Sequence, residues 1–369
     1  MHDDKKAPRL PAVLLALLLI LIPLAQLLMP DAAYSPLEKR ELALPPRLTL
    51  ASGVFSRGME DYLSDHLPLR GQWVGLDAWR RYLSGSMAAD PVWRLPGGAL
   101  AEAPLEDNGA RLERNLQLLD DFALEAGQPL WLLSPPAAGA LAEQPGYYPY
   151  PDQARLSEIN SMAYQQLRPI ALFEALQAAP QPVFYRTDPH WNGQGAYVAY
   201  AQAAKALGFE PLSPEAFAQA QSPGFHGSSY ARSGLWQTPA EALDIWDPGV
   251  KLALHFDGSD AAHDSLFFRE HLKTPDPYRV FLDGNHGLTR IDNLDNPSGP
   301  RLLMLKDSFG NSLLPLLLPH FSHITLLDLR AWRGSSLQVT QDEAFDQLLA
   351  VYALKSLATD SNFAWLSRR

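Results

Sequence analysis

The stretch Arg301-Leu302-Leu303-Met304-Leu305-Lys306-Asp307-Ser308-Phe309-Gly310-Asn311-Ser312 decides the fold. Leu302 to Leu305 is an unbroken apolar run, and a strand that is apolar on both faces belongs in a sheet covered on both sides. A small polar turn follows, and then an apolar helical stretch near 309–318. The same alternation extends outward in both directions. Strands are expected at Pro129 to Ser134, Pro182 to Arg186, Arg279 to Asp283, His323 to Asp328 and Leu348 to Leu354, with helices near 109–126, 152–177 and 193–207. Residues 86–369 therefore form an α/β layered domain. The stretch from about 211 to 277 is rich in Gly, Pro, Ser and Asp with weak periodicity, and reads as a long insertion.

Toward the N-terminus the pattern changes twice. Phe55, Met59, Tyr62 and Leu63, then Trp73, Leu76, Trp79 and Leu83, repeat near helical spacing on either side of Pro68, so 51–85 reads as an amphipathic helical segment. Asp65 and His66 lie at its central junction, where a helix-terminal pair is the plainer reading and catalysis the other. Residues 31–50, preceded by Pro30 and carrying Pro36, Pro45 and Pro46, read as an extended linker. Before them, Lys5, Lys6 and Arg9 precede an uncharged run from Ala12 to Met29. Eighteen residues at about 1.5 Å reach about 27 Å, close to the ~30 Å hydrocarbon core. Residues 1–30 thus read as a cytoplasmic stub and a transmembrane signal anchor, the basic flank staying inside. The run is long for a signal-peptide core and no clean A-x-A site follows, which favours an uncleaved anchor. Everything after about residue 31 is expected outside the cytoplasmic membrane, on its periplasmic or extracellular face.

Composition removes several function classes. The 369 residues are 47% hydrophobic and 10% aromatic, ample for a packed core. Thirty Lys and Arg against 41 Asp and Glu leave a net charge of −11, and no basic stripe offers nucleic acid a phosphate-binding face. With no cysteine, thiol catalysis, Fe–S clusters and Cys-ligated zinc are excluded. No HExxH or comparable ligand set calls for a metal, no cofactor is expected, and Asp257 to Asp264 reads as an exposed loop.

Two strand-end segments carry possible chemistry. Ser308 stands at a strand-to-helix turn, where active sites of such sheets collect and a helix N-terminus favours developing negative charge. A nucleophile is one reading; Asp307 or Ser308 as a plain N-cap is the other. In Tyr185-Arg186-Thr187-Asp188-Pro189-His190-Trp191-Asn192, Asp188 and His190 are two apart, so an extended segment projects both to one side. A carboxylate on one ring nitrogen leaves the other free to take a proton from a serine. Metal ligation is the competitor.

Taken together, these motifs resemble a known family. Thr187-Asp188-Pro189-His190-Trp191 resembles the defining motif of the DHHW protein family, and Lys306 to Ser312 followed by Asp328-Leu329-Arg330 resembles its later block. The same residues are similar to the alginate O-acetyltransferase proteins of bacterial exopolysaccharide export. Ser52-Gly53, Asp65 to Arg70 and Phe281 to Gly287 also fit. One position departs: Pro189 stands where the family motif has its first His, so acid–base work falls to Asp188 and His190. The resemblance implies an SGNH-hydrolase-like three-layer sandwich with a mostly parallel sheet, its Asp-x-His pair preceding the serine in a permuted order. It implies Ser308 as nucleophile, His190 as base and Asp188 as orienting carboxylate. The Ser308 amide, Asn285 and Asn311 are candidates for an oxyanion hole. Arg330 and Trp191 are candidates for lining a carbohydrate groove, a surface Arg and a core Trp being the plainer readings, and Tyr147-Tyr148-Pro149-Tyr150 either stacks on sugars or packs a loop.

The function that follows is a membrane-anchored extracytoplasmic O-acetyltransferase acting on a cell-surface or exported polysaccharide through an acetyl-serine intermediate. It implies a membrane-bound acyl-transporting O-acyltransferase as partner. A carbohydrate esterase with the same residues, and a non-catalytic glycan-binding scaffold of an export complex, are the rivals.

Overall fold

The computed structural model describes residues 9–47, 53–85, 88–89, 92–106, 109–142 and 150–367. The chain divides into two compact units: Met1–Ala89 with Gly234–Trp236, and Asp90–Ser233 with Gln237–Arg369.

The larger unit is built on an eight-stranded sheet. In spatial order its strands are Ala262–His263, Leu252–Phe256, Leu288–Asn293, His323–Leu327, Arg301–Lys306, Gln347–Val351, Leu130–Leu133 and Leu167–Ile170. The last five run parallel, and the first three add on antiparallel. Burial explains the arrangement. All of His323–Leu327 and all of Arg301–Lys306 but its first residue are buried, as parallel strands under two helical layers must be. Leu302 and Met304 join Ala199, Ala203, Leu313 and Leu317 in one apolar cluster, whereas Leu303 and Leu305 join Leu116, Leu119, Phe122 and Leu357 in another. Strand residues alternate between faces, so these clusters are the two sides of the sheet. Each fully buried Leu contributes about 1.5–3 kcal/mol of transfer free energy. The fold is the mixed α/β, three-layer arrangement expected.

Helices Gly109–Ala126 and Gly193–Leu207 occupy the predicted residues. The second starts where Asn192 Oδ1 accepts from the Gly195 N–H at 3.0 Å and ends at Gly208, whose φ of 81° suits a residue without Cβ. Other expectations need correction. Residues 152–177 are not one helix: Asp152–Ser161, the edge strand Leu167–Ile170 and helix Phe173–Ala178 share that stretch. Pro169 disguised the strand, yet proline is tolerated at a sheet edge. Pro182 to Arg186 and Arg279 to Asp283 are not sheet strands, each holding a single isolated bridge, Phe184 to Trp191 and Phe267 to Phe281. Their apolar character comes from loops packed into the core, and Leu282 and Asp283 take φ of 59° and 53°, which no strand allows. The stretch 211–277 is no mere insertion: it makes the hairpin Ala218–Phe225 with Glu241–Asp247 and lends Leu252–Phe256 to the main sheet.

The smaller unit opens with helix Arg9–Leu28, long and apolar enough to cross a membrane. Tyr34–Ser35 pairs with Arg40–Glu41 inside the expected linker, and helices Val54–Asp65 and Arg70–Leu83 follow, with Pro68 between them. Asp65 and His66 serve architecture. The Asp65 carboxylate accepts from Arg40 and from the Ala43 N–H, and His66 ends its helix with Nδ1 at 3.0 Å from the Tyr62 carbonyl. Arg40 pulls the Asp65 carboxyl down to about 2, against some desolvation.

Candidate active site

Ser308 follows the Arg301–Lys306 strand by two residues and starts helix Phe309–Leu317. Its hydroxyl makes no capping bond; Asp307 takes that role, its Oδ1 accepting from the Phe309 N–H at 3.0 Å. Asp307 Oδ2 accepts from the Ala353 N–H at 2.9 Å and the Ser356 hydroxyl at 2.7 Å, which ties the turn to the segment after the neighbouring strand. The Ser308 side chain is thereby left for other use, and its Oγ lies 2.7 Å from His190 Nε2.

His190 reaches it from the loop between the Phe184 and Trp191 bridge partners. This loop is bent, not extended as its sequence suggested. Asp188 Oδ1 accepts from the His190 backbone N–H at 3.1 Å, and this two-residue turn brings the ring onto the same carboxylate, Nδ1 to Oδ1 2.5 Å. An ionised carboxylate only accepts, so Nδ1 carries a hydrogen and Nε2 is left to accept from the Ser308 hydroxyl. Asp188 Oδ2 accepts from the Ser228 N–H at 2.8 Å. Burial of Asp188 favours its neutral form, but its electrostatic attraction to the His190 ring and these hydrogen bonds outweigh it and hold its pKa below the usual carboxylate value.

The loop has a clamp of its own. Glu241 accepts from the Arg186 and Thr187 N–H groups at 2.8 and 2.7 Å and from the Thr187 hydroxyl, and the Tyr230 N–H donates to the Thr187 carbonyl. Gly227 packs against Asp188 so closely that any Cβ would overlap it. Tyr278 forms the back wall: its ring stacks on His190 with centroids 4.2 Å apart and planes at 13°, and its hydroxyl lies 3.4 Å from the Ser308 carbonyl and 3.1 Å from Ser312 Oγ.

His190 and Ser308 open onto a cleft of about 480 Å³, lined also by Glu102, Ser228, Arg330 and Lys355. Lys355 Nζ and Arg232 meet the Glu102 carboxylate at 2.9 and 2.7 Å. Arg330 holds the buried Asp328 carboxylate through Nε at 2.9 Å and a terminal nitrogen at 2.6 Å. Beneath the turn Lys306 is fully buried, its Nζ 2.6 Å from Asn311 Oδ1 and 3.4 Å from both Asn285 Oδ1 and Asp328. Burial pushes the Lys306 pKa down, though Asp328 opposes this. A larger depression of about 1000 Å³ at the start of the 109–126 helix carries Arg111, Arg114 and Arg155 but no nucleophile with a base beside it. Among the described residues no group of three or more His, Asp or Glu is placed to hold a metal ion.

The structure thus brings Asp188, His190 and Ser308 together and sets Arg330 in their cleft. It corrects two other expectations. Trp191 is fully buried, its Nε1 donating to Ser312 Oγ at 2.8 Å and its ring meeting Phe309 edge-on, so it lines no groove. Asn311 is buried and its amide is engaged by Lys306 and Asn285, which makes it support for the turn. Asn285 is exposed but does not line the cleft. The Ser308 N–H meets no acceptor among the described residues and remains the available oxyanion donor. Of the aromatic cluster, Tyr147, Tyr148 and Pro149 lie outside the described residues, as does Ser52. Tyr150 packs over Gly139 and donates to the Glu102 carbonyl at 2.6 Å. Sequence reasoning missed Tyr278, Glu241, Glu102 and Lys355, since no local motif joins them to a serine 30 to 206 positions away.

The fold and this geometry define an SGNH-hydrolase-like α/β protein, and residues 102–232 match the SGNH hydrolase-like domain of the acetyltransferase AlgX. The DHHW protein family profile matches residues 170–327. A DHHW family protein from Eubacterium siraeum is 19% identical with a TM-score of 0.66, over 74% of this chain and 93% of that one. PatB1 of Bacillus cereus is 20% identical with a TM-score of 0.59, over 72% and 96%. A second PatB1 structure, with a sulfonyl adduct, is 19% identical with a TM-score of 0.63, over 76% and 99%. At these identities the likeness is one of fold. No curated protein matches the chain in sequence at a significant level.

Proposed function

We propose that this protein is a membrane-anchored, extracytoplasmic O-acetyltransferase that moves an acetyl group onto a hydroxyl of a cell-surface or exported polysaccharide. The observation that carries the reading is the hydrogen-bonded series Asp188, His190, Ser308 at the mouth of a polar cleft. The match of 102–232 to an acetyltransferase domain supports it, as does the apolar helix Arg9–Leu28 for the anchor.

In this mechanism His190 Nε2 takes the Ser308 proton as Oγ attacks the acetyl carbonyl, and the developing oxyanion meets the Ser308 N–H. His190 returns the proton to the leaving group, and acetyl-Ser308 remains. A sugar hydroxyl then attacks this ester while His190 removes its proton, and the acetylated glycan leaves with Ser308 restored. Asp188 holds the Nδ1–H tautomer and stabilises the imidazolium at each half-reaction. Arg330, Glu102 and Lys355 offer the acceptor charged hydrogen-bond partners. A membrane acyl-transporting partner supplies the acetyl group from the cytoplasm.

Intact mass after incubation with an activated acetyl ester tests the chemistry. A single acetyl adduct mapped to Ser308 is expected, lost in Ser308→Ala and reduced roughly 10³-fold or more in rate in His190→Ala. Folded protein that forms no adduct and turns over no ester would overturn the catalytic reading. With acceptor oligosaccharide added, transfer yields acetylated sugar; release of free acetate alone would make the protein an esterase.

A further inference from the structure

The smaller unit carries an apolar surface that the chemistry of Ser308 does not use. In helix Arg70–Leu83, the face bearing Gly71, Val74, Gly75 and Ala78 packs against Gly234–Trp236: Ala78 is buried, and the Trp236 ring lies 3.4 Å from a Cβ built on Gly71. The opposite face is open. Leu69, Trp73, Leu76 and Leu83 are 61, 46, 62 and 77% exposed. At about 100° per residue these four and Arg80 fall within about 80° of arc, one continuous stripe.

Its position in the unit says what covers it. The preceding helix is tied to the exit of the candidate membrane span at three points: Gln26 Nε2 donates to the Leu63 carbonyl at 3.1 Å, the Tyr62 hydroxyl to Asp31 at 2.7 Å, and His66 Nε2 lies 3.2 Å from the Ala32 carbonyl. Leu69 follows three residues later. A stripe of Leu and Trp with Arg80 and Arg81 in its last turn, joined to the end of a span, has the composition of a helix lying in the membrane interface.

We propose that Leu69, Trp73, Leu76 and Leu83 dock on the outer surface of the bilayer, so that the 70–83 helix is a second, interfacial attachment beside the N-terminal anchor. The proposal rests on the reading of Arg9–Leu28 as an uncleaved span. The chain has no cysteine, so single Trp73→Cys, Leu76→Cys and Leu83→Cys variants of the full chain, each carrying an environment-sensitive fluorophore, report on one position each. They are reconstituted in phosphatidylethanolamine–phosphatidylglycerol vesicles beside Leu17→Cys in the span and Arg81→Cys off the stripe.

Blue-shifted emission and quenching by headgroup-proximal doxyl lipid are expected at 73, 76 and 83, deeper quenching at 17, and neither at 81. Quenching at 17 with water-like emission along the stripe overturns the interfacial helix and leaves the anchor. Absence of quenching at 17 overturns the anchor itself. Stripe labels that quench one another and not with lipid assign the face to a second copy and also overturn the proposal.

Discussion

At the scale of single residues, the candidate site depends on side chains that hold other side chains. Tyr278 illustrates this: its ring covers one face of His190, and its hydroxyl reaches the carbonyl of Ser308 and the hydroxyl of Ser312, which also accepts from Trp191. Tyr278→Phe keeps the stack and loses both contacts of the hydroxyl, a hydrogen bond typically being worth about 0.5–1.5 kcal/mol. A several-fold slower acylation of Ser308 is expected. Tyr278→Leu removes the flat support as well, and a loss of about 10²-fold is expected, because a displacement near 1 Å at the reacting groups has that cost. Rapid-quench mass spectrometry of the acetyl adduct measures both. Equal rates in the two variants would show that the stack does not position the base.

At the scale of elements, the site is the meeting of two loops that the chain keeps 118 residues apart. One is the turn after the Arg301–Lys306 strand, fixed by Asp307; the other is the bent 184–191 loop, fixed by Glu241, Ser228 and the bare backbone of Gly227. Gly227 is the sensitive point, since a methyl group there overlaps Asp188 Cβ and Oδ2. Gly227→Ala is expected to move Asp188 off the His190 ring and to lower the Ser308 acylation rate by about 10²-fold, with the far-ultraviolet circular dichroism unchanged. Retention of the full rate would mean that the loop yields without moving the carboxylate. The helix Asp152–Ser161 supplies a prediction in pH. Asp152 is buried, Oδ1 accepting from the Ala137 N–H at 2.6 Å while Oδ2 has no donor among the described residues. Burial pushes its pKa up to about 6, against the hydrogen bonds it accepts from the Ala137 N–H and its own N–H. A carboxyl raised above its unfolded value of about 3.9 stabilises the fold fully below about pH 4, and the contribution is lost as pH rises through about 6. Two units at about 1.36 kcal/mol each come to roughly 3 kcal/mol. Asp152→Asn keeps the Oδ1 acceptor and is expected to remove that part of the pH slope, read as urea midpoints at pH 4 and pH 7 in both proteins. Identical slopes would place the titration elsewhere.

At the scale of the whole molecule, the sequence was legible where one chain segment determines its own structure. The apolar runs at 301–306, 323–327, 347–351 and 130–133 are strands because burial on both faces admits little polar character, and they form the parallel core. Helices 109–126 and 193–207 were legible as helical stretches alternating with the apolar runs, and the Arg9–Leu28 run by length and lack of charge. Asp188, His190 and Ser308 were readable as chemistry because an acid two residues from an imidazole and a serine at a strand-to-helix turn are local patterns. The remainder is non-local. Val183 to Tyr185 and Val280 to Leu282 are as apolar as strands, yet they are loops whose side chains fill a core built by other segments. Leu252–Phe256 lay in the stretch of weak periodicity and Leu288–Asn293 was not anticipated, because the antiparallel side of the sheet tolerates mixed faces; Leu167–Ile170 was read as helix because its proline, tolerated at an edge, hid the strand. Trp191 and Asn311 were candidates for substrate contact until burial placed them under the site. Residue type and spacing determine which groups can do chemistry and which segments must be buried. Which of those groups meet, and which apolar side chains face the core, depends on contacts between residues a hundred or more positions apart, and only the folded chain holds that information.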